Sequence, residues 1–166
     1  MEINSQFEHR GKTYKVKYRD GVPEIPTDPK ILDGVHTYCF YKDKLVIVGH
    51  EETKHWTPPG GAIELGETYK QAAIREIAEE TNMKVLHLEC IGYQDVQSVE
   101  GGRIFRQFRM FGIVEPHGDF VSDPDGDISE IKLIEPKDYK EHIRWGEVGD
   151  WLMKRAMELH KKYTNS

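Results

Sequence analysis

The chain has 166 residues, 37% hydrophobic and 31% charged, with a formal net charge of −6, which is the profile of one ordinary globular core. The acidic balance argues against a nucleic-acid polymer or an anionic membrane as partner, while a nucleotide monomer stays open because a bound cation can reverse the sign of a site. No apolar run approaches the ~18 residues that span a bilayer, and Met1 to Arg10 lacks the apolar centre of an export leader, so a cytoplasmic protein is expected.

Phe7 to Tyr18, broken at Gly11, reads as a hairpin with Tyr14, Val16 and Tyr18 on one face and Lys15 and Lys17 on the other. Gly21 to Pro29 carries three prolines and reads as an extended linker. Residues 1–30 are therefore expected to form a hairpin and linker packed on a main domain of residues 31–166. The hairpin also offers an edge through which two copies could pair as a homodimer. Val35 to Tyr41 and Lys44 to Gly49, joined at Lys42-Asp43, are apolar on both faces and predict buried central strands. Cys39 and Cys90, each within a predicted strand, read as small buried hydrophobes in a reducing compartment. Trp56, ahead of Pro58-Pro59-Gly60-Gly61, reads as a packing residue that fixes the stiff loop after it.

A capping box, Thr68 with Gln71, starts a helix at Tyr69, and Asn82, tolerant of the left-handed conformation, stops it after Thr81. At about 100° per residue, Glu76 and Glu80 lie about 40° apart, with Glu79 about 60° to the other side of Glu76. Ile74, Ile77, Ala78 and Thr81 are expected on the opposite, sheet-facing side. Like charges at this spacing cost a bare helix a few tenths of a kcal/mol per pair, a cost that a divalent cation would turn into ligation. Oxygen-only donors favour Mg²⁺ or Mn²⁺ over zinc. A solvated acidic face is the alternative reading of the same charges.

Beyond the helix, Val85 to Ser98 and Arg103 to Val114 predict strands turning at Glu100-Gly101-Gly102, Ile131 to Ile134 predicts another, and Glu147 to Lys161 a final helix with Val148, Leu152, Ala156, Leu159 and Tyr163 as its apolar stripe. The strand from Arg103 places Ile104, Phe108, Met110 and Val114 on one face and Arg103, Phe105, Gln107 and Arg109 on the other. That mixed face is either a solvated edge or a cleft wall, with Arg109 against a phosphate and Phe105 or Tyr93 stacked on a base. Asp123, Asp125 and Asp127 are spaced like the start of a calcium loop, but Ile128 and Ile134 stand where the sixth-position glycine and twelfth-position glutamate belong, so a solvated loop from Pro116 to Asp127, lying over the cleft, is expected instead.

The pattern Gly-x5-Glu-x7-Arg-Glu-x-x-Glu-Glu, filled by Gly61, Glu67, Arg75, Glu76, Glu79 and Glu80, resembles the Nudix box of the Nudix hydrolase superfamily. Asn82 stands where the family has a glycine, a change in helix cap more than in chemistry. The resemblance implies an α/β/α sandwich with a mixed β-sheet and metal-dependent hydrolysis of a phosphoanhydride in a nucleoside diphosphate derivative. It implies Glu76, Glu79 and Glu80, with the Gly60 carbonyl, as ligands of Mg²⁺ or Mn²⁺. It further implies Glu76 as a base for the attacking water, Glu67 as a supporting carboxylate and Arg75 as the guanidinium that orients it or a neighbouring glutamate. Glu130 or Asp127 are candidates for a base outside the box. A small-molecule nucleotide, by default a nucleoside triphosphate giving monophosphate and pyrophosphate, is the expected substrate. Ala62 replaces a lysine seen in several triphosphate-cleaving members, so Lys54, Arg106 or Arg109 would have to supply that cation. An ADP-ribose, nucleotide-sugar or dinucleotide pyrophosphatase and a non-catalytic nucleotide sensor are the alternatives; isopentenyl diphosphate isomerase chemistry would need catalytic residues not found in the sequence.

Overall fold

The computed structural model describes residues 1–26, 28–120 and 128–166, Ser129 by its backbone only. In chain order the strands are β1 (Glu2–His9), β2 (Lys12–Asp20), β3 (Leu32–Tyr41), β4 (Lys44–His50), β5 (Trp56–Thr57), β6 (Gly60–Ala62), β7 (Met83–Ser98), β8 (Phe105–Pro116) and β9 (Ile128–Ile134). Helix α1 (Tyr69–Thr81) separates β6 from β7, and α2 (Tyr139–His142) and α3 (Gly146–Thr164) follow β9. The strands form one mixed sheet in the order β1-β2-β7-β8-β3-β4-β5, with β6 also paired to β3 and β9 to β4. Only β3 and β8 run parallel among the described pairings. The terminal hairpin is continuous with this sheet, because Tyr14 to Asp20 pair antiparallel with Ser98 to Gly92.

Strand alternation divides the core into two layers, giving the expected α/β/α sandwich. On one face Val35, Phe108 and Met110 pack against Ala72 and Ala73 of α1, and Cys39, Val46 and Val114 pack against Ile77. On the other, Tyr38, Phe40, Ile47 and Phe111 pack with Val148, Leu152 and Ala156 of α3. Both cysteines are free, Cys39 buried and Cys90 partly so. Trp56 packs, half-buried, at the edge of the α3 layer.

Two expectations are corrected. Ile74 is 48% exposed and Ala78 is exposed, while the buried stripe of α1 is Ala72, Ala73, Glu76, Ile77, Glu80 and Thr81. The small side chains of Ala72 and Ala73 let the helix lie close to the sheet, which rotates Glu76 and Glu80 inward instead of opposite the core. Strand β9 begins at Ile128, so Glu130 lies within it, opposite Gly49 of β4, and not ahead of it. The aspartate series 123, 125 and 127 falls outside the described residues.

Candidate active site

Helix α1 is fixed at both ends by its own sequence. Thr68 Oγ1 accepts from the Gln71 N–H at 3.1 Å while Gln71 Oε1 accepts from the Thr68 N–H at 2.9 Å, a complete capping box. Asn82 closes the helix at φ 53° and ψ 38°. Between these stops, Arg75 gathers the acidic groups. Its Nε and Nη2 donate to the two oxygens of Glu67 at 2.8 and 2.9 Å, its Nη1 to Glu76 at 2.9 Å and Glu79 at 3.3 Å, and Nη2 also to the Ala62 carbonyl at 2.9 Å. A planar guanidinium can hold this many acceptors at fixed angles, which an ammonium cannot.

The loop before the helix closes the other side. Gly60 N–H donates to Glu80 Oε1 at 2.6 Å. A side chain on Gly61 would place its Cβ 2.5 Å from Glu76 Oε1, so the backbone there lies directly against that carboxylate. Glu76 and Glu80 are 8% and 4% exposed, unusual burial for carboxylates and sustainable only with bonded partners. The Arg75 hydrogen bonds hold the Glu67 carboxyl below the ordinary carboxylate range, and Glu67, outweighing the cost of partial burial, raises Arg75 further above its own. Glu67 is thus a fixed anion and Arg75 a fixed cation at neutral pH.

Among the described residues no three acidic, histidine or cysteine side chains already form a metal cage. The donor chemistry nevertheless fits a hard divalent cation: three carboxylates bond one guanidinium, a fourth, Glu80 of α1, accepts from the Gly60 amide of the adjoining loop, and all donors are oxygen. Glu76, Glu79 and Glu80, with the Gly60 backbone, are the groups able to hold such an ion.

The remaining predicted substrate residues are not brought together. Arg109 and Tyr93 lie on opposite faces of the sheet. Arg109 is on the α3 side, 4% exposed, with Trp145 at 4.9 Å. Tyr93 packs at the α1 layer with Arg106 over its ring at 4.6 Å. Phe105 lies beneath Arg103 at 4.6 Å. Arg106 is committed to Asp95 through Nε and Nη2 at 2.8 and 3.0 Å. Glu130 is exposed, and because Ile131 joins the α1 layer while Lys132 lies over Trp56, strand alternation gives Glu130 the Trp56 face.

A cleft of about 570 Å³ opens on the α3 side, lined by Gln6, His36, Gln107, Arg109, Arg144 and Trp145 among others. These six come from β1, β3, β8 and the turn into α3, and among them the β8 strand pattern of Gln107 and Arg109 gave the one signal in the sequence.

Residues 33–154 match the NUDIX domain family. The MutT4 protein of Mycobacterium tuberculosis (strain CDC 1551 / Oshkosh) is 34% identical over 104 residues, covering 59% of this chain and 42% of that protein, so the chain spans less than half of that relative's length. The Nudix hydrolase YvcI of Bacillus subtilis (strain 168) is 26% identical over 130 residues, covering 74% of this chain and 79% of that one. The crystal structure of the Bacillus subtilis pyrophosphohydrolase BsRppH superposes with a TM-score of 0.64 over 93% of this chain and 96% of that one at 16% identity, a likeness of fold. With the domain match spanning most of its length and the Gly61-to-Glu80 box folded onto α1, this chain belongs to the Nudix hydrolase family.

Proposed function

We propose that the chain is a metal-dependent pyrophosphohydrolase acting on a nucleoside diphosphate derivative, with a nucleoside triphosphate as substrate and nucleoside monophosphate and pyrophosphate as products. The observation that carries this reading is the Arg75 hub, which holds Glu67, Glu76 and Glu79 within hydrogen-bond reach of one guanidinium beside the Gly60–Glu80 contact. A merely solvated acidic face would leave these carboxylates apart and exposed; here two of them are buried.

Mg²⁺ or Mn²⁺, when bound by Glu76, Glu79, Glu80 and the Gly60 backbone, would neutralise phosphate charge and acidify water. Arg75, anchored on Glu67, keeps Glu76 and Glu79 aligned, and the Gly60 amide holds Glu80. Glu76 takes the proton of the attacking water as the water oxygen bonds to one phosphorus and the phosphoanhydride P–O bond breaks, the bridging oxygen leaving with the departing nucleoside monophosphate or pyrophosphate. Purified protein incubated with a panel of nucleoside triphosphates, ADP-ribose and dinucleoside polyphosphates, with Mg²⁺ or Mn²⁺, tests the reading by product identification. Pyrophosphate released from a triphosphate supports it; no product from any member of the panel overturns it.

A further inference from the structure

The α3-side cleft holds a cation that the acidic site does not use. Arg109 is 4% exposed, and its described partners are all neutral: the Phe108 carbonyl at 3.1 Å from Nη1, Gln107 Oε1 at 3.1 Å from Nη2 and His36 Nδ1 at 3.5 Å from Nη1. The Arg109 Nε–H has no acceptor among the described residues. Among the described residues Asp33 is linked to Arg109 by hydrogen bonds through Gln107, whose Nε2 donates to Asp33 Oδ2 at 2.9 Å, and otherwise acts on it through space. The His36 imidazole cannot supply negative charge, and burial, reinforced by Arg109, keeps it neutral. A guanidinium that is buried, backed by the Trp145 ring and bonded only to neutral groups gains strongly when an anion enters beside it.

Position links this cation to the acidic site. Arg109 pairs with His36 across β8 and β3, and His36 pairs with Gly60 across β3 and β6. Adjacent strands lie about 4.8 Å apart, so the Arg109 and Gly60 backbones are separated by roughly 10 Å in the plane of the sheet, and because β6 pairs only with β3 among the described strands, a polyphosphate passes around that edge from the carboxylates on the α1 face to Arg109 on the α3 face. We infer that the cleft seats a phosphate oxyanion of the substrate against Arg109, at a phosphate other than the one attacked. This rests on the function proposed above. An uncharged nucleobase would leave the buried charge uncompensated, whereas a phosphate satisfies it. Gln6, from the hairpin outside the family-matched residues, also lines the cleft and belongs to this chain's own shaping of the subsite.

The test separates this subsite from the hydrolytic reading by omitting metal. With EDTA present the glutamates hold no cation that could recruit phosphate, so inorganic tripolyphosphate followed by calorimetry should bind wild-type protein through Arg109. Arg109→Met should weaken binding at least about tenfold, and Arg109→Lys, which keeps the charge but not the fork, by less. In case Arg109→Met does not fold, the side-chain Nε–H resonance of Arg109 is followed in the wild type, where it should move with tripolyphosphate and not with guanosine or adenosine. A stationary resonance, an equal response to a nucleoside without phosphate, or undiminished binding by folded Arg109→Met overturns the inference. If the nucleotide panel yields no product while this binding persists, the hydrolytic reading fails and the subsite stands.

Discussion

Arg75 and Glu67 meet edge to edge, Nε on one carboxylate oxygen at 2.8 Å and Nη2 on the other at 2.9 Å, while the remaining Nη1 reaches Glu76 and Glu79. The pair spans the loop and the helix, so it sets where the loop carboxylate stands relative to the helical ones. Arg75→Lys keeps the charge and loses the fork. It is expected to lower kcat about 10- to 100-fold with the fold retained, measured by pyrophosphate release and circular dichroism. Wild-type turnover in this variant would show that the fork does not position the glutamates.

Glu76→Gln and Glu80→Gln each remove a negative charge while keeping an oxygen acceptor. At position 80 the amide oxygen can still receive the Gly60 N–H, so loop and helix should stay joined. Each variant is expected to lose at least about 10²-fold in turnover with little change in melting temperature. Full activity in both, measured at saturating Mn²⁺ as well as Mg²⁺, would rule out the assigned chemistry.

Gly60 and Gly61 give opposite consequences for the same substitution. A Cβ at Gly60 would lie 2.1 Å from the Val35 carbonyl oxygen, which is backbone and cannot step aside without breaking β3–β6 pairing. A Cβ at Gly61 would meet Glu76 Oε1 at 2.5 Å, the end of a side chain that can move. Gly60→Ala is thus expected to cost at least about 2 kcal/mol in a denaturant melt, and Gly61→Ala to cost less stability but lower kcat by displacing Glu76. Equal melting curves for the two variants would contradict this division.

Local signals in the sequence were enough for α1: its start at Tyr69, its end at Thr81 and its acidic composition depend on neighbours within a few residues, and the structure agrees. The buried face was misread because hydrophobicity alone placed Ile74 and Ala78 inward. What turns Glu76 and Glu80 inward is tertiary: the close approach permitted by Ala72 and Ala73, and the Gly60 amide 20 residues away. The cleft was harder still. Gln6, His36, Arg109 and Trp145 become neighbours only through the sheet order and the seating of α3, which no window of sequence contains. Tyr93 and Arg109 both read from the sequence as substrate contacts, yet Tyr93 stands opposite Phe108, one residue out of phase with Arg109, and so points to the other face.

Asp20 joins the hairpin to α3, accepting from the Tyr18 hydroxyl and from Trp151 Nε1, each at 2.8 Å, with the Met1 ammonium at 3.4 Å. Partial burial opposes its ionisation, but the Trp151 and Tyr18 hydrogen bonds prevail and hold its pKa below the ordinary 3.8. A carboxyl with a lowered folded pKa stabilises the fold above its unfolded pKa, and that contribution is lost as pH falls through the folded value. Asp20→Asn should therefore lower the melting temperature at pH 6 to 7 and flatten its decline below about pH 4 relative to wild type. Parallel melting-temperature curves from pH 7 to 2 would show that the ionised form of Asp20 carries no such stability.

Asn82 holds φ 53° where most side chains are strained, donating its backbone N–H to the Ala78 carbonyl at 3.0 Å and its side-chain Nδ2 to the Asp119 carbonyl at 2.9 Å. Asn82→Gly removes the conformational cost and one side-chain hydrogen bond, two effects of opposite sign that each amount to about 1 kcal/mol, so stability should change little. Asn82→Ala loses the hydrogen bond and keeps the strain, and should cost about 1 kcal/mol or more. Turnover should stay within about twofold of wild type in the glycine variant, because the cap touches neither Arg75 nor its carboxylates. A large fall in kcat for Asn82→Gly with an unchanged melt would instead place this asparagine in the chemistry, and the departure from the family pattern would then be functional and not a matter of helix termination.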